Sequence, residues 1–362
     1  MQQQFIYSTP MQTDSIQATI QKLLTTTPPA ISAAGAISIA ASHYDIRARV
    51  HPLVSERDQN FRLDADNGER YVLKISNQAE ELKVIDFQNH ALIHVAKQDA
   101  SIPLPRVIPT RKDQLHCSVE LDGKTHFVRV LSWVEGMVLD DTTVDAGLVN
   151  RLGRLMARLG LALKDFDHPG SNPASLWDMK RAAGLRDLLA YIQEPGLRQL
   201  IEQTLNTFVT KVKPALDTLR TQVIHNDINL GNVLMDKAQS NQISGIIDFG
   251  DLTKSPLIID LAVGAAYQLS AGDDPLAGAL PMIAGYHAVR PLQDTEMVLL
   301  TDLIRTRLIT SLLIGTYRST LFPENSEYLL TSQNSARNFL RNLSRLNSDD
   351  ATDRIHAVCA TA

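Results

Sequence analysis

Apolar and polar positions change rhythm along this chain, and the change divides it in two. Between His51 and Ser76, two alternating runs flank Asn67-Gly68, a dipeptide suited to a tight turn. That spacing predicts a hairpin whose second strand, Tyr71-Val72-Leu73-Lys74-Ile75, carries Lys74 on one face. From Glu80 to Lys97 the period lengthens, with Leu82, Ile85, Leu92 and Val95 recurring at helical spacing. Pro103 and Pro105 close that region. The segments 116–119 and 126–131 predict a second hairpin across Asp122-Gly123. Beyond Trp133 helical patterns take over, at 143–164 and 176–210, and then from Ile258 to the end. An apolar strand at 243–249 interrupts them. Upstream, residues 1–12 read as a loose polar start, 14–25 as a short helix broken by Pro28-Pro29, and 30–42 as a core helix.

The predicted fold class is therefore α+β. Its order of elements is that of a bilobal protein-kinase-like fold. A small β-rich N-terminal lobe with one long helix and a helical extension would occupy 1–132. A larger α-helical lobe would occupy 133–362, with a hinge at Val130–Gly136.

Composition adds exclusions. The 362 residues are 44% hydrophobic and 21% charged, enough apolar side chain for a sizeable core. A net charge of -5, without a basic stripe, argues against nucleic acid as a partner. No segment reaches the roughly 18 uncharged apolar residues of a membrane span. The opening MQQQFIYSTPMQTD has neither a positive n-region nor an apolar h-region, which argues against a signal peptide. Cys117 and Cys359 lie far apart and in no metal-binding spacing, so a reducing cytoplasm is expected. Monomer and homodimer both remain open.

The candidate chemistry sits in two short stretches. In VIHNDINLGNVLMD (223–236), Asp227 and Asn232 stand five apart. Sixteen residues after Asn232, Ile246-Ile247 lead into Asp248-Phe249-Gly250. This order of acid, amide and second acid points to phosphoryl transfer, which asks a protein mainly for positioning and charge. Asn232 and Asp248 supply hard oxygen ligands suited to Mg²⁺. Asp227 is then placed to take the proton of an acceptor hydroxyl. Lys74 can reach nucleotide phosphates as a point charge. Asp86, Gln88 and Glu81 are candidate helix partners for Lys74, with Asp86 favoured. The turn 55–61 contains no glycine, so Ser55, Asn60 and backbone N–H groups are the expected phosphate cradle. Ser132 and Trp133, in the hinge, are expected beside the nucleotide base.

These residues, with PLVSERDQNFRL (52–63), YVLKIS (71–76), IDFQNHALIHVA (85–96), VRVLSWVEG (128–136) and GIIDFGDLTKSPLIIDLAVGAAYQL (245–269), resemble the aminoglycoside phosphotransferase and choline kinase-like superfamily. Within it they are similar to the hydroxylysine kinase-like branch, which includes phosphotransferase domains fused ahead of class III aminotransferases. The resemblance implies a kinase using ATP or GTP with Mg²⁺ on a small-molecule hydroxyl acceptor such as hydroxylysine, homoserine or an ethanolamine-like compound. It marks Asp227 as the catalytic acid, Asn232 and Asp248 as metal ligands and Lys74 as the nucleotide lysine. Asp260 would brace the loop. Asp251 could meet a substrate ammonium or a second Mg²⁺, and Arg307 could hold a substrate carboxylate. An antibiotic phosphotransferase and a stress-type Ser/Thr protein kinase of the same superfamily are the alternatives. Asn226 stands where the superfamily usually has Gly, a departure the branch shares, and His225 is expected to orient the loop as a core histidine.

Overall fold

The computed structural model describes residues 26–55, 57–139, 144–175, 177–238, 241–323 and 333–362. The expected helix at 14–25 lies outside them. Helix α1 (Ala33–Tyr44) starts where the Ser32 hydroxyl accepts the Gly35 N–H, and its Ala36, Ile39, Ala40 and Tyr44 are buried. It lies beside an antiparallel sheet of β1 (Ala48–Leu53), β2 (Gln59–Ala65), β3 (Arg70–Ile75), β6 (Lys124–Ser132) and β4 (Val107–Ile108), in that order, with β5 (Cys117–Leu121) also pairing with β6. Both predicted hairpins are present. Gly68, at φ 86°, adopts the left-handed conformation that the β2–β3 turn requires. Phe61, Leu63, Leu73, Ile75, Val128 and Val130 of the sheet bury against α1 as one core.

Helix α2 (Leu82–Gln98) buries Ile85, Gln88, Leu92 and Val95 along one stripe. Its Phe87, Leu92 and Val95 belong to the second and larger core, built mainly from helices. That core is framed by α3 (Ala146–Ala162), α4 (Pro195–Thr207), α5 (Leu257–Ala266), α6 (Leu280–Val289), α7 (Asp294–Leu321), α8 (Gln333–Ser344) and α9 (Ser348–Ala360). The ten residues of α5 are all buried, so this helix is enclosed on every side, with Asp260 its one charged residue.

The single long helix expected at 176–210 is instead two pieces. Met179–Tyr191 is a 3₁₀ run, and α4 begins only at Pro195. Proline is tolerated in a helix's first turn but not in its interior, so Pro195 starts an element rather than continuing one. Gly184, within the 3₁₀ run, also weakens an α-helix there. Likewise the strand expected to reach Phe249 stops at Ile246. It forms β10 (Ile243–Ile246), pairs with β9 (Val233–Met235) and is followed by a tight turn over Phe249–Asp251. Short β7 (Met137–Val138) pairs with the other edge of β9, and β8 (Thr221–Ile224) with β11 (Thr253–Pro256).

Candidate active site

Two loops at the ends of short buried strands meet beneath the sheet. β8 delivers the loop from His225 to Asn232, and β10 delivers Asp248. Both turns need a left-handed residue, and neither uses glycine: Asn226 has φ 66° and Asp248 φ 58°. Asn and Asp are among the few residues that tolerate this region. The Asn226 N–H donates to Asp260 Oδ1 at 2.7 Å, which fixes the bend from α5. Asp260 thus braces the loop as expected.

His225 is fully buried. The Asp227 N–H donates to its Nδ1 at 3.3 Å, so Nε2 carries the proton and faces the Ile247 carbonyl at 3.2 Å. Burial lowers its pKa to about 4, keeping the ring neutral. The histidine therefore links the two loops from below. A backbone bond from Ile247 N–H to the Asn232 carbonyl, 2.9 Å, links them again.

Above lies a cleft of about 1220 Å³ between sheet and helices. Lys74, Ser55, Asn60, Ser132, Trp133, Asp227, Asn232, Asp248, Asp251 and Arg307 all line it. Lys74 Nζ lies 3.4 Å from Asp248 Oδ1. The lysine's charge is the main reason the Asp248 carboxyl sits low, at about 2, with burial opposing it. For Asp227 the balance reverses: burial pushes its carboxyl up, and the Arg307 guanidinium only partly offsets that. Arg307 Nη2 donates to Asp227 Oδ1 at 2.8 Å and to the Tyr267 hydroxyl at 3.0 Å. Asn232 Nδ2 donates to the Asp227 carbonyl and to Oδ2, each at 2.9 Å. With its nitrogen so engaged, the Asn232 side chain keeps its amide oxygen for another partner. An ionised Asp248 and that oxygen make a hard donor set that fits Mg²⁺.

One expectation is overturned. Asp86 is not the partner of Lys74 and does not line the cleft. It pairs instead with His168 Nε2 at 3.1 Å and with His90 Nδ1 at 3.2 Å. The three groups could in principle hold a metal. However, His168 Nδ1 accepts the Gly170 N–H at 3.1 Å, so an N–H rather than a lone pair faces Asp86. The cluster, with Phe87 and Phe166 stacked beside it, clasps α2 to the segment after α3. On the same helix, Leu92 lines the cleft and Gln88 bonds to the turn that follows Asp248. Its Nε2 donates to the Gly250 carbonyl at 3.0 Å, and its Oε1 accepts from buried Arg129 at 2.5 Å. Gln88 shares the buried stripe of Ile85, Leu92 and Val95, whereas Asp86 falls off it.

Other placements refine the expectations. The N–H groups of Ser132 and Trp133 donate to the Arg106 and Arg70 carbonyls, at 2.8 and 3.0 Å, so these two amides are engaged within the protein. Asn60 pairs in register with Lys74, and its buried Oδ1 has no partner among the described residues. Asp251 accepts from Arg57 at 3.4 Å and from the Ser175 hydroxyl at 3.3 Å. Sequence reasoning singled out neither Arg57 nor the rings of Trp177 and Tyr267, whose centroids lie 4.9 and 5.7 Å from the Arg307 guanidinium.

Comparison with known proteins gives the class: a phosphotransferase acting on small-molecule hydroxyls. The chain belongs to the phosphotransferase enzyme family, whose family model matches residues 49–292. Among its relatives, hydroxylysine kinase of Mus musculus is 28% identical over 339 residues, covering 87% of this chain and 90% of that one. Homoserine kinase of Rhizobium rhizogenes is 26% identical, covering 68% and 73% respectively. Two solved structures share the fold: amicoumacin kinase hAmiN (TM-score 0.64, 13% identity, covering 94% and 99%) and a microcompartment-associated aminopropanol kinase (0.61, 18%, 86% and 97%). Among the described residues, no helix is long and apolar enough to cross a membrane.

Proposed function

We propose that this protein is a Mg²⁺-dependent kinase that transfers the γ-phosphate of ATP or GTP to a hydroxyl of an amino acid or amino alcohol. The observation that carries the reading is the meeting of Lys74, Asp227, Asn232 and Asp248 in one cleft, with Lys74 beside Asp248 and Asn232 bonded to Asp227. Asp248, held ionised beside Lys74, and the Asn232 amide oxygen are the metal ligands. When bound, the metal neutralises phosphate charge. Lys74 contacts the phosphates, with Ser55 in the β1–β2 turn and Asn60 on β2 beside them. The acceptor oxygen attacks the γ-phosphorus, its proton passes to Asp227, and the bond from that phosphorus to the β-phosphate oxygen breaks, releasing the nucleoside diphosphate. Trp177 and Tyr267 form walls on the acceptor side, and Asp251 is placed to meet an ammonium there.

The named relatives act on hydroxylysine and homoserine, which favours a hydroxy-amino acid. The test is nucleotide-to-diphosphate turnover with a panel of hydroxylysine, homoserine, ethanolamine, 1-amino-2-propanol and aminoglycosides, with and without Mg²⁺. Saturable turnover with an amino acid or amino alcohol is expected. Turnover with aminoglycosides alone would reject the acceptor class.

A further inference from the structure

Transfer requires Asp227 to offer an oxygen to a hydroxyl, and both of its oxygens already hold donors, two on Oδ2 and one on Oδ1. Asn229 and Asn232 donate to Oδ2 at 3.0 and 2.9 Å, and Arg307 donates to Oδ1 at 2.8 Å. The two asparagines belong to the same loop as Asp227. Arg307 comes from α7, 80 residues away in sequence, and its side chain is 3% exposed. It is also under-satisfied. Nε and Nη1 are buried and have no hydrogen-bond partner among the described residues. A buried donor left without an acceptor costs about 1–3 kcal/mol, more when charged. Trp177 and Tyr267 sit against the guanidinium, so what this arginine lacks is an anion rather than a wall.

We propose that Arg307 is a removable cap on Asp227, and that the acceptor's own carboxylate removes it. A carboxylate offers two oxygens to the guanidinium fork, whereas Asp227 gives it one. An entering carboxylate therefore draws Arg307 away and satisfies nitrogens that lack partners. Asp227 Oδ1, relieved of its competing donor and of the side chain that covers it, is then open to the acceptor hydroxyl. Arg307 acts through Asp227 and through the far end of the substrate, so it is a positioning residue. Hydroxy-amino acids uncap the site; the same skeletons without a carboxylate meet a capped one. This inference rests on the kinase reading above.

The test compares hydroxylysine and homoserine with their decarboxylated counterparts, 1,5-diaminopentan-2-ol and 3-aminopropan-1-ol, at saturating nucleotide. Wild type, Arg307→Gln and Arg307→Lys are assayed. Wild type should favour each amino acid over its amine in kcat by on the order of 100-fold, the scale of one lost charged hydrogen bond. Arg307→Gln should collapse that preference to within about 5-fold. It should also move the acid limb of kcat/KM to higher pH, because the charge that lowers the Asp227 pKa is gone. Arg307→Lys should restore part of both. Equal kcat for amino acid and amine in wild type overturns the cap and leaves the kinase reading standing, and this arm does not depend on either variant folding. A folded Arg307→Gln that keeps the wild-type preference overturns the cap as well. Turnover of neither pair overturns the cap together with the proposed acceptor class.

Discussion

Asp227 and Asp248 end two loops of similar build and opposite electrical character. Each follows a short strand, and each turn relies on a left-handed residue that is not glycine. Around Asp248, Lys74 and the Gly250 N–H stabilise the ionised form. Around Asp227, burial dominates and the protonated form gains. Two carboxyl groups of the same intrinsic acidity are thus pushed in opposite directions by their neighbours. That separation suits the proposed roles, a standing anion at Asp248 and a proton acceptor at Asp227.

The strongest way to break the contrast is Asp227→Asn. This variant should lose about 10³-fold in kcat while nucleotide binding, followed by calorimetry, stays near wild type. Unchanged turnover would remove Asp227 from the chemistry. Asp248→Asn should act on the other side of the comparison. Its apparent affinity for Mg²⁺ should fall by about 100-fold, read from activity against metal concentration. A variant with normal metal dependence would mean that Asp248 is merely a turn residue. Lys74→Met should follow, raising the KM for nucleotide by about 10- to 30-fold with little change in the KM for acceptor.

The pH profile sharpens the contrast without mutation. The acid limb of kcat/KM reports the free enzyme, so it should lie well above the ordinary aspartate value of about 3.9, where Asp227 loses its proton. A limb near that ordinary value would place Asp227 in the same class as Asp248. In stability the sign for Asp248 is opposite. Its folded pKa is lowered, so its pairing with Lys74 stabilises above the unfolded value of about 3.9 and fades as pH falls toward about 2. Half of its side chain is solvent-exposed, so screening keeps that contribution small.

The smallest effect concerns the turn itself. Asn226→Ala should lower stability by about 1–2 kcal/mol, measured by denaturant titration, because alanine resists a φ of 66°. Asn226→Gly should cost less. It suits the backbone and removes two buried side-chain atoms that have no partner among the described residues.

Much of this was legible in the chain because the informative pairs are close in sequence. Asp227 and Asn232 share one loop, Asp248 follows a visible apolar strand, and Lys74 sits in an alternating run beside a strong turn. The same local patterns foretold the β2–β3 and β5–β6 hairpins. What periodicity could not show are side-chain meetings across long separations: Arg307 with Asp227, Arg57 with Asp251, and His168 with Asp86. The choice between Asp86 and Gln88 is a different case. Counting the helical stripe through Ile85, Leu92 and Val95 selects Gln88, but a charge-based expectation favoured the acid. The broken helix at 176–210 had its signal in Pro195, which an apolar count overlooks.

The backbone bond between Ile247 and Asn232 has a thermodynamic consequence. It joins the segment that delivers Asp248 to a residue lining the same cleft. The gap between the two proposed cation ligands is therefore set when the chain folds, not when the ion arrives. Little conformational freedom is left to lose at that moment, so the ion's binding free energy is spent on coordination and dehydration rather than on bringing two loops together.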